Sequence, residues 1–300
     1  MKQNRLWLLY AMVTVIAWGI WGAFIDTPAE HGFPATLGYV VWAFVMIPPA
    51  LVAMWIVGWK VEYDAKSIFW GCVAGFLGAG GQLILFKTLR LAPAYLVFPF
   101  VALSPVVTIA MALLLSKERA TAKGWVGIAL AVVAGVLLAY MPPEGQASRG
   151  LLWVLLASLV LLAWGIQGFA ISHANKTMKA ESIFFYMMLT SILLIPVALA
   201  MTDFTKKINW GFDGPALAAG IQILNSIGAL LLVYAFRYGK AIIVSPLTNA
   251  GAPVVTVVLS LVVTALAHKL EWTTATTVNM VGVLAAVVAT VLMAIEGEKG

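Results

Sequence analysis

The sequence predicts an all-α integral membrane protein of ten transmembrane helices, built as two inverted five-helix repeats. Composition is the first reason. Apolar residues make up 63% of the 300 and charged residues 10%, with a mean hydropathy of +1.00. A soluble domain carries about 25% charge, so this chain has too little to cover a water-facing surface. Segmentation is the second reason: charge-free apolar runs occur ten times, at 6–25, 35–59, 67–86, 91–116, 124–141, 150–172, 182–202, 214–236, 241–267 and 272–295. The third is a duplicated proline layout. P-F-V-A-L-S-P-V-V-T, from Pro99 to Thr108, is echoed by S-P-L-T-N-A-G-A-P-V-V-T, from Ser245 to Thr256.

Most of the runs approach or exceed the roughly 20 residues that a helix needs to cross hydrocarbon, whereas barrel strands are about half as long. Taken in order, the spans match in pairs. Ala17-Trp18-Gly19-Ile20-Trp21-Gly22 in span one corresponds to Ala163-Trp164-Gly165-Ile166-Gln167-Gly168 in span six. Ile47-Pro48-Pro49-Ala50-Leu51 in span two corresponds to Ile195-Pro196-Val197-Ala198-Leu199 in span seven. Span three is rich in glycine (Gly71, Gly75, Gly78, Gly80, Gly81), which suits close helix packing. Spans four and nine carry the proline pairs, preceded by Arg90 and Ala94 in one copy and by Arg237 and Ala241 in the other. Val126-Gly127 in span five corresponds to Val281-Gly282 in span ten, after an insertion of about seven residues in the second copy. The repeats are therefore residues 1–145 and 146–300. Five spans is an odd number, so the copies face opposite ways across the bilayer.

Proline removes a backbone hydrogen bond and kinks a helix, which lipid tolerates only where neighbours or a water-filled cavity satisfy the freed groups. Pro48, Pro99, Pro105, Pro196, Pro246 and Pro253 are accordingly predicted helix breaks or hinges. Duplicated broken helices point to a transporter core.

Charge placement sets the orientation. With the N-terminus inside, Lys2, Arg5, Lys60, Lys66, Lys117, Arg119, Lys123, Lys176, Lys179, Arg237, Lys240 and Lys299 lie in the cytoplasm, twelve against six on the other side. The positive-inside rule then predicts both termini in the cytoplasm. The net charge of +6 is scattered through short loops and forms no nucleic-acid patch. M-K-Q-N-R before an apolar run mimics a signal peptide, but the run has a later copy and is expected to be retained. The minimal termini suggest a bacterial plasma membrane, Cys72 as the single cysteine excludes an intrachain disulfide, and nothing specifies an oligomeric state.

The matched residues resemble the drug/metabolite transporter superfamily, closest to its ten-helix EamA branch. The resemblance rests on Trp-Gly early in each half and on Arg-x-x-x-Ala leading into Ser-Pro-x-x-x-x-x-x-Pro-Val-Val-Thr. A glutamate before the last span of each half (Glu118, Glu271) adds to it. It covers essentially the whole chain. It implies two inverted five-helix repeats, a central cavity, alternating access and the export of amino acids or other metabolites. Two departures stand out. Asp26 occupies a region where many such proteins carry lysine, and Trp21 is matched by Gln167, so the cavity is not symmetric.

Candidate site residues are the polar groups deep in the spans. Thr14, Trp18 and Trp21 share one face of span one with Tyr10, and Trp164 and Gln167 repeat the arrangement in span six. An indole wall suits stacking on a sugar or an aromatic ring, or attraction of an organic cation; tryptophans near membrane surfaces are more simply anchors, as Trp7, Trp55, Trp59 and Trp272 are read. Gln82, Ser104, Gln222, Asn225, Thr248 and Asn249 complete the set, with Ser226 beside them. Each alone is explained by an interhelical hydrogen bond of roughly 0.6 to 2 kcal/mol. Together they suit a neutral or zwitterionic solute, since amides both donate and accept. No ionisable residue falls near the middle of a span, which disfavours a carboxylate-switched proton antiporter and an anionic substrate. Glu118 and Glu271 are expected to be solvated or to fix loops, and Arg90 and Arg237 to snorkel or close a gate.

An intramembrane enzyme is opposed by the lack of H-E-x-x-H, G-x-S-x-G and paired aspartates within a span. A channel would need a filter or a charged ring. No cofactor or metal motif is visible. The expectation is a secondary carrier, embedded in the lipid bilayer, for a small-molecule substrate: an amino acid or similar metabolite first, a neutral sugar or drug-like solute next.

Overall fold

The computed structural model describes residues 5–141, 150–267 and 272–297. Glu271 and His268, with Lys2, Arg149, Lys269 and Lys299 of the charge count, lie outside the described residues. The first repeat contains α1 (Leu6–Phe24), α2 (Thr27–Glu30), α3 (Ala35–Val45), α4 (Ile47–Ile56), α5 (Ala65–Leu89), α6 (Ala94–Val101), α7 (Ser104–Leu115) and α8 (Ala122–Leu138). The second contains α9 (Leu152–Ala174), α10 (Ala180–Leu193), α11 (Ile195–Ala200), α12 (Leu217–Tyr238), entered through a π-turn at Phe212–Ala216, α13 (Ala241–Leu266) and α14 (Thr274–Gly297). Nine spans among the described residues are long and apolar enough to cross a membrane, and α8 is a shorter apolar tenth. This is the ten-helix, two-repeat membrane fold.

Local chemistry sets the helix ends. The Asp64 carboxylate accepts from the Lys66 and Ser67 amides and starts α5, and the Thr121 hydroxyl accepts from the Gly124 amide and starts α8. Spans two and seven break at matching places. Met46 separates α3 from α4 and Leu194 separates α10 from α11, with Pro48 and Pro196 in the first turn of the new helix. Proline is tolerated there because that turn's N–H groups have no partner within the helix. Span four breaks at Ala102 and Leu103, between Pro99 inside α6 and Pro105 in the first turn of α7.

Span nine departs from the expected break. α13 runs as one helix through Pro246 and Pro253. Side-chain bonds reinforce the turns between them: Thr248 Oγ1 donates to the Val244 and Ser245 carbonyls at 2.9 and 3.2 Å, and Asn249 Nδ2 donates to the Ser245 carbonyl at 2.9 Å. The two copies of one motif thus take different backbone paths.

The repeats are held together by their shared motifs. Thr108 Oγ1 donates to the Gly165 carbonyl at 2.7 Å, and Thr256 Oγ1 donates to the Gly19 carbonyl at 2.9 Å. Trp18 Nε1 donates to the Asn225 carbonyl and Trp164 Nε1 to the Gly78 carbonyl, each at 3.2 Å. These are two pairs of equivalent bonds, each running from one repeat to the other. α8 and α14 lie alongside one another, Gly127 against Leu292 and Gly282 against Leu138. Apolar side chains such as Leu114 (77% exposed) and Leu266 (76%) face outward, where lipid covers them.

Candidate functional site

Three of the polar side chains expected to line a cavity come together. Trp21 on α1 donates its Nε1–H to Gln222 Oε1 on α12 at 3.0 Å, and Asn225 Nδ2 approaches the same oxygen at 3.4 Å. Gln222 is buried, and its backbone carbonyl accepts from Ser226 Oγ at 3.1 Å. Both amides keep unused capacity: Gln222 Nε2 and Asn225 Oδ1 make no hydrogen bond among the described residues. One free donor and one free acceptor therefore stand beside an indole. Gly38 on α3 faces Gln222. A methyl group at Gly38 on α3 would lie 3.9 Å from Gln222 Nε2.

One turn on from Gly38, and so on the same side of α3, stands Trp42. Its Nε1–H is buried and has no acceptor among the described residues, while its ring meets Tyr39 edge-on at 5.4 Å. A buried donor without a partner costs about 1–3 kcal/mol. Trp42 was not among the residues singled out in the sequence, since a missing acceptor leaves no mark in the residue pattern.

The second repeat contributes Gln167, whose amide packs on Gly78 of α5; a methyl group there would sit 2.1 Å from Nε2. Gln82 is one turn further along the same helix, half-buried and without a hydrogen bond among the described residues. Gln167 and Gln82 thus share one side of α5.

The other expected residues are placed differently. Thr14 Oγ1 donates to the Gly228 carbonyl at 3.2 Å, which with the Trp18 and Trp164 bonds makes these three side chains part of the packing between repeats. The Trp18 ring also lies on Gly228, where a methyl group would come within 2.4 Å of Cδ1. Thr248 is buried with its hydroxyl turned back on its own helix. Asn249 likewise bonds its own helix and is exposed. Ser104 is buried at the first position of α7, and its carbonyl would lie 2.6 Å from a methyl group at Gly165.

Acidic groups at the span ends hold neighbouring elements. Glu118 Oε2 accepts the Ile242 amide at 3.1 Å, capping α13 from the other repeat. Glu181, buried in the first turn of α10, accepts the Tyr234 hydroxyl at 2.5 Å. Glu296 accepts the Thr121 amide at 2.7 Å and the Thr121 hydroxyl as well.

A sequence model of the EamA-like transporter family matches the chain twice, over residues 5–141 and 150–295. A solved structure described as "Crystal structure of protein" superposes with a TM-score of 0.75 at 17% identity, over 94% of this chain and 98% of that one. At that identity the likeness shows the fold. No curated protein matches the chain.

Proposed function

The chain belongs to the EamA-like transporter family, and on that premise we propose that it exports small neutral or zwitterionic metabolites, amino acids foremost, across the plasma membrane by alternating access. It is a multi-pass membrane transporter of small solutes; the substrate class, direction and membrane are our reading. The observation that carries the reading is the Trp21–Gln222–Asn225 group, with Gln222 Nε2 and Asn225 Oδ1 unused and no ionisable side chain among its members. An amide donor and acceptor match the carboxylate and ammonium of a zwitterion without demanding net charge. The unpaired Trp42 N–H adds a second donor from α3.

Unequal ends support a moving carrier. At the end where α1 starts, α9 and α12 are tied by Asn175 Nδ2 donating to the Val233 carbonyl at 3.0 Å, and Phe236 would lie 3.6 Å from a methyl group at Gly168. At the other end the equivalent helices, α1 and α5, share no hydrogen bond among the described residues. In an inverted repeat such inequality is the mark of one state of a two-state cycle, with exchange of the two arrangements opening the opposite end. With the termini in the cytoplasm, this state is closed inside.

A neutral sugar is the second reading, favoured by the Trp21 indole. A thermal-shift screen of the purified protein against amino acids, sugars, nucleosides and organic cations separates the two, because a ligand of the folded form raises stability by mass action. Amino acids raise the melting temperature on our reading. A shift confined to sugars or to cations overturns it.

A further inference from the structure

A cavity of about 340 Å³ lies apart from the central group, at the end of the bundle where α1 starts. The ends of α9 and α12, the start of α13, the α7–α8 connection and Trp7 of α1 line it. Its volume falls in the range of small-ligand pockets, roughly 300–1,000 Å³. Lys176, Arg237 and Lys240 contribute three cations to its lining and Glu118 one anion. No salt bridge joins Glu118 to any of the three among the described residues.

Each charged head is aimed by a single bond. Arg237 Nη1 donates to the Met178 carbonyl at 3.2 Å, Lys176 Nζ to Ser116 Oγ at 2.8 Å, and Lys240 Nζ to the Arg119 carbonyl at 3.4 Å. A guanidinium has five donors and an ammonium three, so most of their capacity stays open. Acceptors stand on the same lining. Asn175 Nδ2 donates to the Ile171 and Val233 carbonyls at 3.1 and 3.0 Å, which fixes the amide and leaves Oδ1 buried with no donor among the described residues. Ser172 is buried, and its hydroxyl makes no hydrogen bond among the described residues.

We propose that this cavity is a second solute site, a loading site that takes the carboxylate of a small amino acid on Lys176, Arg237 and Lys240 and its ammonium on Asn175 Oδ1 and Glu118. An amide oxygen buried without a donor is unfavourable. A ligand N–H relieves that. The excess of positive charge draws the carboxylate, and the fixed acceptor rejects a simple anion. The proposal rests on the transport reading only for its direction, in that a site at the cytoplasmic end collects solute before export.

Equilibrium binding of radiolabelled alanine to the full chain, in nanodiscs of phosphatidylcholine, tests it independently of transport. Two equivalents bind wild type. Lys240→Gln and Ser172→Ala each weaken one of them at least fivefold and leave the second unchanged; the serine hydroxyl bonds nothing among the described residues, so its removal leaves the fold intact. Gln222→Leu removes the other equivalent. If the central reading alone fails, wild type binds one equivalent that is insensitive to Gln222→Leu and sensitive to Lys240→Gln. Propionate and ethylamine, each carrying half of the zwitterion, compete at least tenfold more weakly than alanine. The proposal is overturned if Lys240→Gln and Ser172→Ala leave binding untouched, if inorganic phosphate or propionate competes as well as alanine, or if phosphatidylglycerol in the nanodisc displaces alanine from the site.

Discussion

Gly19 and Gly165 are equivalent points of close approach between the two repeats. A methyl group at Gly19 would lie 2.3 Å from Val255 Cβ, and one at Gly165 would lie 2.4 Å from Val107 Cβ. Both partners belong to the Pro-Val-Val-Thr tetrapeptides, so the Trp-Gly and Pro-Val-Val-Thr motifs recur because each packs on the other. Overpacking typically costs 1–3 kcal/mol. Gly165→Ala and Gly19→Ala should each lower the melting temperature of the purified protein. Gly80→Ala, where nothing lies within 4 Å, should hold it level or raise it. Equal melting temperatures for Gly165→Ala and Gly80→Ala would contradict the packing account. The residues themselves were legible in the sequence, but their roles were only partly so. The depth and shared face of Trp18 and Trp164 suited a cavity wall, yet their N–H groups bond backbone carbonyls of the opposite repeat. A backbone acceptor leaves no mark in a side-chain pattern, and neither does the missing acceptor of Trp42.

At the scale of elements, proline shows the same gap. Pro48, Pro105 and Pro196 stand where a fresh helix begins, whereas Pro246 and Pro253 sit inside one continuous helix. Proline deletes one donor in every case. Whether the helix breaks is decided by packing and by donors such as Thr248 and Asn249, which lie beyond what spacing encodes. α13 also lacks a cap of its own, since Lys240 makes no side-chain cap bond and Glu118 supplies one from the first repeat. A carboxylate at a helix N-terminus contributes about 0.5–2 kcal/mol. Glu118→Ala should destabilise the fold by about 1 kcal/mol in thermal denaturation, and Glu118→Gln, which keeps an acceptor, by less. An unchanged melting temperature in Glu118→Ala would mean that the bond does not hold the helix.

The whole molecule was the most legible level, because ten apolar runs and a near-constant offset between copies fix the span number and the inversion without reference to any side-chain contact. The proposed sidedness rests on the charge count and is open to direct test. On a Cys72→Ser background, a membrane-impermeant maleimide should label Lys207→Cys in intact cells and Lys60→Cys only after permeabilisation; both positions are exposed. The reverse pattern would invert the orientation and turn the proposed loading site outward. Substrate class was not legible from the pattern of spans, because it depends on which amides keep free valences after packing. Gln222 Nε2 and Asn225 Oδ1 are two of these among the described residues, and the Gln82 amide is another. The decisive measurement is counterflow of labelled alanine into proteoliposomes preloaded with unlabelled alanine. Wild-type protein should accumulate label above protein-free vesicles, and Gln222→Leu should lower the initial rate at least tenfold while melting as a folded protein. Wild-type vesicles that gain no more label than empty ones, or a Gln222→Leu rate equal to wild type, would contradict the account.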